Sequence, residues 1–216
     1  PYKPSPVLDR ALTLLLILHA DHEQNCSTST VRMVGSSQAN LFASCSAGIS
    51  ALWGPLHGGA NQQVIEMLQH IRDDGGDFKK YVGMAKDKSA NFKLMGFGHR
   101  VYKGKDTRAS VLQGLCMRRF NVCGTSPLYE VAVAVEQLAG ERLKGKGIYP
   151  NVDFYSGIIY DKMGIEVDLF TPLFAMARVS GWLAHWLEQL RENKLYRPDQ
   201  IYSGEHDRHY VPMERR

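Results

Sequence analysis

No apolar run in this sequence approaches the roughly 20 residues needed to cross a bilayer. The strongest, Leu12 to Leu18, is too short, so no membrane partner is expected. The four cysteines, Cys26, Cys45, Cys116 and Cys123, show no CxxC spacing, which argues against a thiol-redox motif or a zinc ribbon. Cys26 and Cys45 lie in small-residue, helix-like contexts, and the expectation is buried free thiols in a reducing cytoplasm. The opening Pro1-Tyr2-Lys3-Pro4 lacks the charged-then-apolar layout of a secretory signal. Neither GxGxxG nor a Walker loop occurs, so no dinucleotide or ATP cradle is implied. Charge of one sign is also scarce. The net charge is +4, and lysines and arginines stand side by side only at Lys79-Lys80, Arg118-Arg119 and Arg215-Arg216. With no aromatic-basic platform beside them, a nucleic-acid partner is not expected. Repeats and low-complexity tracts are absent.

What is present is helical periodicity, and the expected class is all-α. Leu8, Ala11, Leu12, Leu15 and Leu18 share one face of a first helix that reaches His19 or His22. Asn40 suits the N-cap of a second, Leu41 to Trp53, whose Ala, Ser and Cys content predicts close packing deep in the core. Gly54-Pro55 ends it. Further helices are predicted over Ala60 to Arg72, Phe78 to Lys86 and Arg108 to about Phe120. The next starts at Pro127 with a stripe of Leu128, Val131, Val135 and Leu138, and the last runs from Thr171-Pro172 to about Glu192. Gly145 to Pro150 reads as a turn, and the tail after Arg197 as irregular. At 216 residues the chain can bury a substantial core.

The chemistry concentrates in Gly96-Phe97-Gly98-His99-Arg100-Val101-Tyr102-Lys103-Gly104-Lys105-Asp106-Thr107-Arg108. Glycines let a backbone approach a ligand closely. The histidine can exchange or share a proton near neutral pH, and an arginine can grip a carboxylate through two parallel bonds. The pattern suits a small dianion, an acyl-CoA or both; taken alone it also suits a polar loop before a helix. His19 and His22, at i and i+3, could be a metal pair with Asp21 and Cys26 nearby, but no third ligand follows at a zinc spacing. Asp153 alone reads as a helix cap, and Arg197 beside Pro198 as a solvated tail residue. Arg178 sits on an otherwise apolar helix face, where an unpaired charge would be costly, so it requires an anionic partner.

Two more segments change the balance: Trp53-Gly54-Pro55-Leu56-His57-Gly58-Gly59-Ala60-Asn61 and Asn151-Val152-Asp153-Phe154-Tyr155-Ser156-Gly157. In this order, with His19-Ala20-Asp21-His22 ahead of them, the motifs resemble citrate synthase, most closely its bacterial branch, from Leu18 to about Arg197. The resemblance implies a large helical domain interrupted by a smaller one, with the N-terminal part missing. Residues 1–56 would belong to the large domain, 57–159 to the small domain, and 160–216 to the return and tail. It implies Asp153 as the base, His57 as donor to a thioester oxygen, and His99 as donor to a ketone. It implies His22, Arg108, Arg178 and Arg197 as oxaloacetate ligands, Arg197 reaching into a neighbouring subunit of a homodimer or higher oligomer. Gly96, Phe97, Gly98, Lys103 and Asn151 would contact CoA, although Lys103 could equally stand free in solvent. Thr107 departs from the family's usual proline or serine. No metal or cofactor is implied, since acetyl-CoA is a substrate. Two alternatives remain: 2-methylcitrate synthase acting on propionyl-CoA, and a non-catalytic helical module that binds an acyl-CoA or a partner.

Overall fold

Polar caps decide where most helices begin. In this computed structural model, residues 5–90, 92–123, 126–142 and 148–216 are described; of Lys88, residues 118–123 and Arg142 only the backbone is. The side chains of Arg118, Arg119 and Cys123 and most of the turn from Gly145 lie outside that description, while the helix expected to end near Phe120 runs on to Cys123.

The elements are α1 (Pro6–His19), α2 (Cys26–Ser36), α3 (Leu41–Leu52), α4 (Ala60–Asp73), α5 (Phe78–Met84), α6 (Thr107–Cys123), α7 (Pro127–Arg142), α8 (Val152–Lys162) and α9 (Phe170–Arg191). The all-α expectation holds: among the described residues there is no strand beyond a lone antiparallel bridge, Phe97 to Pro150. The side chains of Asn25, Asn40, Asp77 and Asn151 accept backbone N–H groups at the starts of α2, α3, α5 and α8, and the Asp106 carboxylate does so for α6. Each such cap stabilises its helix by about 1 kcal/mol. Pro127 opens α7 where a missing N–H costs nothing.

Two helices lie where the hydrophobic pattern is weak. α2 reads Cys-Ser-Thr-Ser-Thr-Val-Arg-Met-Val-Gly-Ser, a composition that favours turns in isolation. It is helical because Ser27, Thr28, Val31, Gly35 and Ser36 are buried, against α3 and α9. α8 is buried nearly all round, so it shows no one-sided stripe.

Two clusters form the core. The larger draws on α1, α4, α6, α7 and α8, with Leu15, Val64, Leu68, Leu112, Val135 and Phe154 among its members. The smaller joins Val31, Leu52, Phe174 and Trp182 from α2, α3 and α9. On α7 the stripe is completed by Ala132 and Ala139, while Leu138 is only half-buried. The expectation that α3 lies deep in the core is corrected. Only Ser44, Gly48 and Leu52 are buried, whereas Phe42, Ile49 and Trp53 are 82%, 49% and 73% exposed. The small residues do serve close packing on the inner face. A Cβ at Gly48 would lie 2.6 Å from Val31 Cγ2 and 3.3 Å from Trp182. The thiols are corrected too: Cys26 is exposed, Cys45 partly buried and Cys116 buried, and all three are free.

Candidate active site

The site is assembled from five separated segments. His22 lies in the turn after α1, His57 in the turn between α3 and α4, and His99 in the loop that leads to Arg108 in the first turn of α6. Asp153 stands in the first turn of α8, and Arg178 halfway along α9.

The first turn of α2 addresses His57. The Ser27 N–H, one of the donors a helix start leaves without an internal partner, donates to His57 Nε2 at 3.2 Å, and Ser27 Oγ lies 2.8 Å from the same nitrogen. A ring nitrogen that accepts a backbone N–H carries no proton, so the proton of neutral His57 sits on Nδ1, ready to donate. Burial and then the charge of Arg178 lower the pKa to about 4, and a helix start also disfavours a cation. The imidazole is therefore neutral at physiological pH.

His99 is oriented by its own loop. Val101 N–H and Tyr102 N–H donate to Nδ1 at 3.0 and 3.3 Å, which puts the proton on Nε2. Burial and Arg108 lower its pKa. His22 stands at right angles to it, with ring centroids 5.2 Å apart, and burial, Arg108 and His99 lower its pKa in turn.

Asp106 organises the cations. Its buried carboxylate takes Arg108 Nε at 3.2 Å and Nη2 at 2.9 Å. It also accepts the Arg108 N–H at 2.9 Å and the Val152 N–H at 3.2 Å. Burial alone would raise its pKa, but the Arg108 pairing and these backbone donors lower it on balance. Arg108 keeps Nη1 outside that clamp. Arg178 is 1% exposed. Its Nε donates to the His19 carbonyl at 2.6 Å, its guanidinium lies 4.9 Å from the Phe174 ring centroid, and no carboxylate among the described residues pairs with it. Burial, then repulsion from Arg108, lowers its pKa to about 10. A buried cation with an open fork is a receptor for an anion.

Asp153 carries the strongest anomaly. Its Oδ1 is buried without a hydrogen-bond partner. Burial raises its pKa to about 7; Arg108 and Arg178 pull it down and Asp106 pushes it up. A carboxylate tuned toward neutrality is suited to taking a proton from a weak acid.

The remaining candidates divide. Gly96 O accepts from Asn151 N–H, and Gly98 N–H donates to Tyr149 O, both at 2.8 Å. The Asn151 side chain caps α8 through Oδ1 and donates to Gly98 O at 3.0 Å. Phe97 packs edge-on against Phe154, centroids 4.8 Å apart. These residues tie the glycine loop to the start of α8. Lys103 and Arg197 are exposed, without an ion pair among the described residues, and no hydrogen bond among those residues joins Arg197 to the rest of the site. Among the described residues no group of three His, Cys, Asp or Glu side chains could hold a metal ion; His19 instead donates from Nδ1 to Leu15 O at 2.7 Å.

Sequence reasoning passed over Ser27 and gave Asp106 no part in the site. The readable signal for Asp106 was an acidic residue two positions before an arginine at a helix start. Ser27 had none, because its role depends on the approach of a turn 30 residues away.

Residues 1–199 match the family model for the citrate synthase C-terminal domain. Citrate synthase of Corynebacterium glutamicum is 50% identical over 221 aligned residues, covering 100% of this chain and 51% of that protein. The crystal structure of citrate synthase from Pyrobaculum aerophilum superposes with a TM-score of 0.84 at 42% identity, covering 100% of this chain and 53% of that one. A ternary complex of Thermoplasma acidophilum citrate synthase with carboxymethyl coenzyme A and oxaloacetate gives 0.87 at 34% identity, over 99% and 57%. The chain thus spans about half the length of the curated relatives it matches.

Proposed function

The chain belongs to the citrate synthase family, and from that premise we propose that it forms the catalytic half of an acyltransferase condensing acetyl-CoA with oxaloacetate into citrate and CoA. The observation that carries this reading is the buried, unpartnered Oδ1 of Asp153 among neutral imidazoles and cationic guanidiniums.

The chemistry follows from the protonation states. Asp153 takes a proton from the acetyl methyl group while His57 Nδ1–H donates to the thioester oxygen, so no free carbanion forms. The enol carbon attacks the ketone carbon of oxaloacetate. His99 Nε2–H gives its proton to the ketone oxygen, which becomes the hydroxyl of citryl-CoA. Water then cleaves the thioester. The open fork of Arg178, the free edge of Arg108 and His22 hold the carboxylates, and Arg197 of a second copy adds a further cation. Lys103 meets the phosphates of CoA beside the Gly96–Gly98 loop. The arginines supply the positive field and the neutral imidazoles the hydrogen-bond donors, so the reaction runs without metal or cofactor. Residues 57–159 close over the remainder to keep water from the enol. The apolar outer face of α3 favours a homodimer. The family's role at the entry of the tricarboxylic acid cycle points to the cytoplasm; no helix among the described residues is long and apolar enough to cross a membrane.

The test is citrate formation by the full-length protein from acetyl-CoA and oxaloacetate, with propionyl-CoA in parallel. One methylene discriminates by only about 1–3 kcal/mol, and faster turnover of propionyl-CoA would reassign the protein as a 2-methylcitrate synthase. Asp153→Ala is expected to bind oxaloacetate as before and to lose about 100- to 10,000-fold in turnover. Ligand binding without citrate from the wild type would favour a non-catalytic module.

A further inference from the structure

Tyr102 sits against both imidazoles of the oxaloacetate pocket, and no motif assigned it a role. Its placement is local in origin. The N–H groups of Val101 and Tyr102 both turn back to His99 Nδ1, and that curl lays the phenol ring over the imidazole, centroids 4.8 Å apart and 37° between planes. The hydroxyl then reaches across to a segment 80 residues earlier, where it lies 2.9 Å from His22 Nε2.

His22 has little else to orient it. Among the described residues its ring makes this one hydrogen bond; its remaining ring contacts are with His99 and Tyr102 themselves, at 5.2 and 5.4 Å between centroids. Asn25 Nδ2 binds its carbonyl at 3.3 Å, which fixes the backbone and leaves the ring free to turn. A half-buried imidazole without a fixed partner would have to be ordered anew each time a carboxylate binds, at an entropic cost.

We propose that Tyr102 is a positioning residue of the oxaloacetate subsite, its hydroxyl holding the His22 imidazole in the orientation that receives a substrate carboxylate. The assignment rests on the function proposed above. It separates the tasks of the loop: His99 acts on the ketone, Arg108 on a carboxylate, and Tyr102 on the other histidine.

The experiment is calorimetric titration of full-length protein with oxaloacetate, with steady-state assays alongside. Tyr102→Phe retains the ring contact with His99 and removes only the hydroxyl. Its dissociation constant for oxaloacetate is expected to rise about three- to tenfold, the range of one net hydrogen bond, with the KM for acetyl-CoA changed less than twofold. In a His22→Ala background the same substitution is expected to change oxaloacetate affinity less than twofold, since nothing is left to position. A purely structural role would move both substrates together and persist in that background, and either result overturns the proposal. So does unchanged oxaloacetate affinity in Tyr102→Phe. A wild-type protein that binds no oxaloacetate would defeat the functional reading itself, and this assignment with it.

Discussion

At Asp153, the proposed chemistry and stability oppose each other. A carboxylate with one oxygen buried and unpartnered resists ionisation, and its pKa rises from 3.8 to about 7. Between those values the unfolded chain has released the proton that the folded chain still holds, so the group's contribution to stability falls as pH rises and levels off above about 7. Asp153→Asn removes the titration at nearly constant volume. We expect the variant to be inactive yet to melt higher than wild type at pH 8, with the gain shrinking as pH falls from 7 toward 4. A gain of equal size at pH 8 and pH 5 would refute this account of the carboxylate. Residue identity was readable here: His57, His99 and Arg108 stand in or beside glycine loops and Arg178 on an apolar face, whereas Asp153 was marked only by the resemblance to citrate synthase. Their protonation was not. It depends on Ser27, Asp106 and the burial that only folding supplies.

At the scale of elements, the first turn of α8 is held from three directions. Asn151 caps it, Asp106 binds its Val152 N–H, and Tyr155 donates to Glu136 and accepts from Gln113, which with Lys105 link α6, α7 and the His99 loop. The glycine loop forms a further brace. Gly96 has φ +77°, and a Cβ there would lie 2.6 Å from Val64 Cγ2 and 3.0 Å from Phe154 Cβ. Gly96→Ala is therefore expected to destabilise the protein by about 1–3 kcal/mol, read as a lower denaturation midpoint. It should also slow turnover by displacing α8; an unchanged midpoint would show that the loop yields freely. The helices with a one-sided apolar stripe were legible from their periodicity. α2 was not, because serine and threonine favour it only once α3 and α9 cover it.

At the scale of the molecule, the inner face of α3 is packed and its outer face bare. Phe42, Ile49 and Trp53 point away from the core of this chain, with Leu56 just beyond them at 82% exposure. An apolar face of that kind marks a contact surface. We expect the doubly substituted Phe42→Glu/Trp53→Glu full-length protein to sediment as a smaller species than wild type. On the function proposed above, it should lose oxaloacetate affinity as well, with Arg197 of the second copy withdrawn. Unchanged sedimentation would place the interface elsewhere.

The chain order alone determined the helical class, most helix starts and the residue types available for catalysis, because caps, proline positions and apolar spacing act over a few neighbours. Tertiary structure decided what those residues can do. It set the guanidinium of Arg178 against the end of α1 with no carboxylate partner among the described residues, placed the α2 start against His57, and left one face of α3 uncovered. Such outcomes depend on contacts between segments far apart in the chain, where electrostatics and solvent exclusion outweigh local preference.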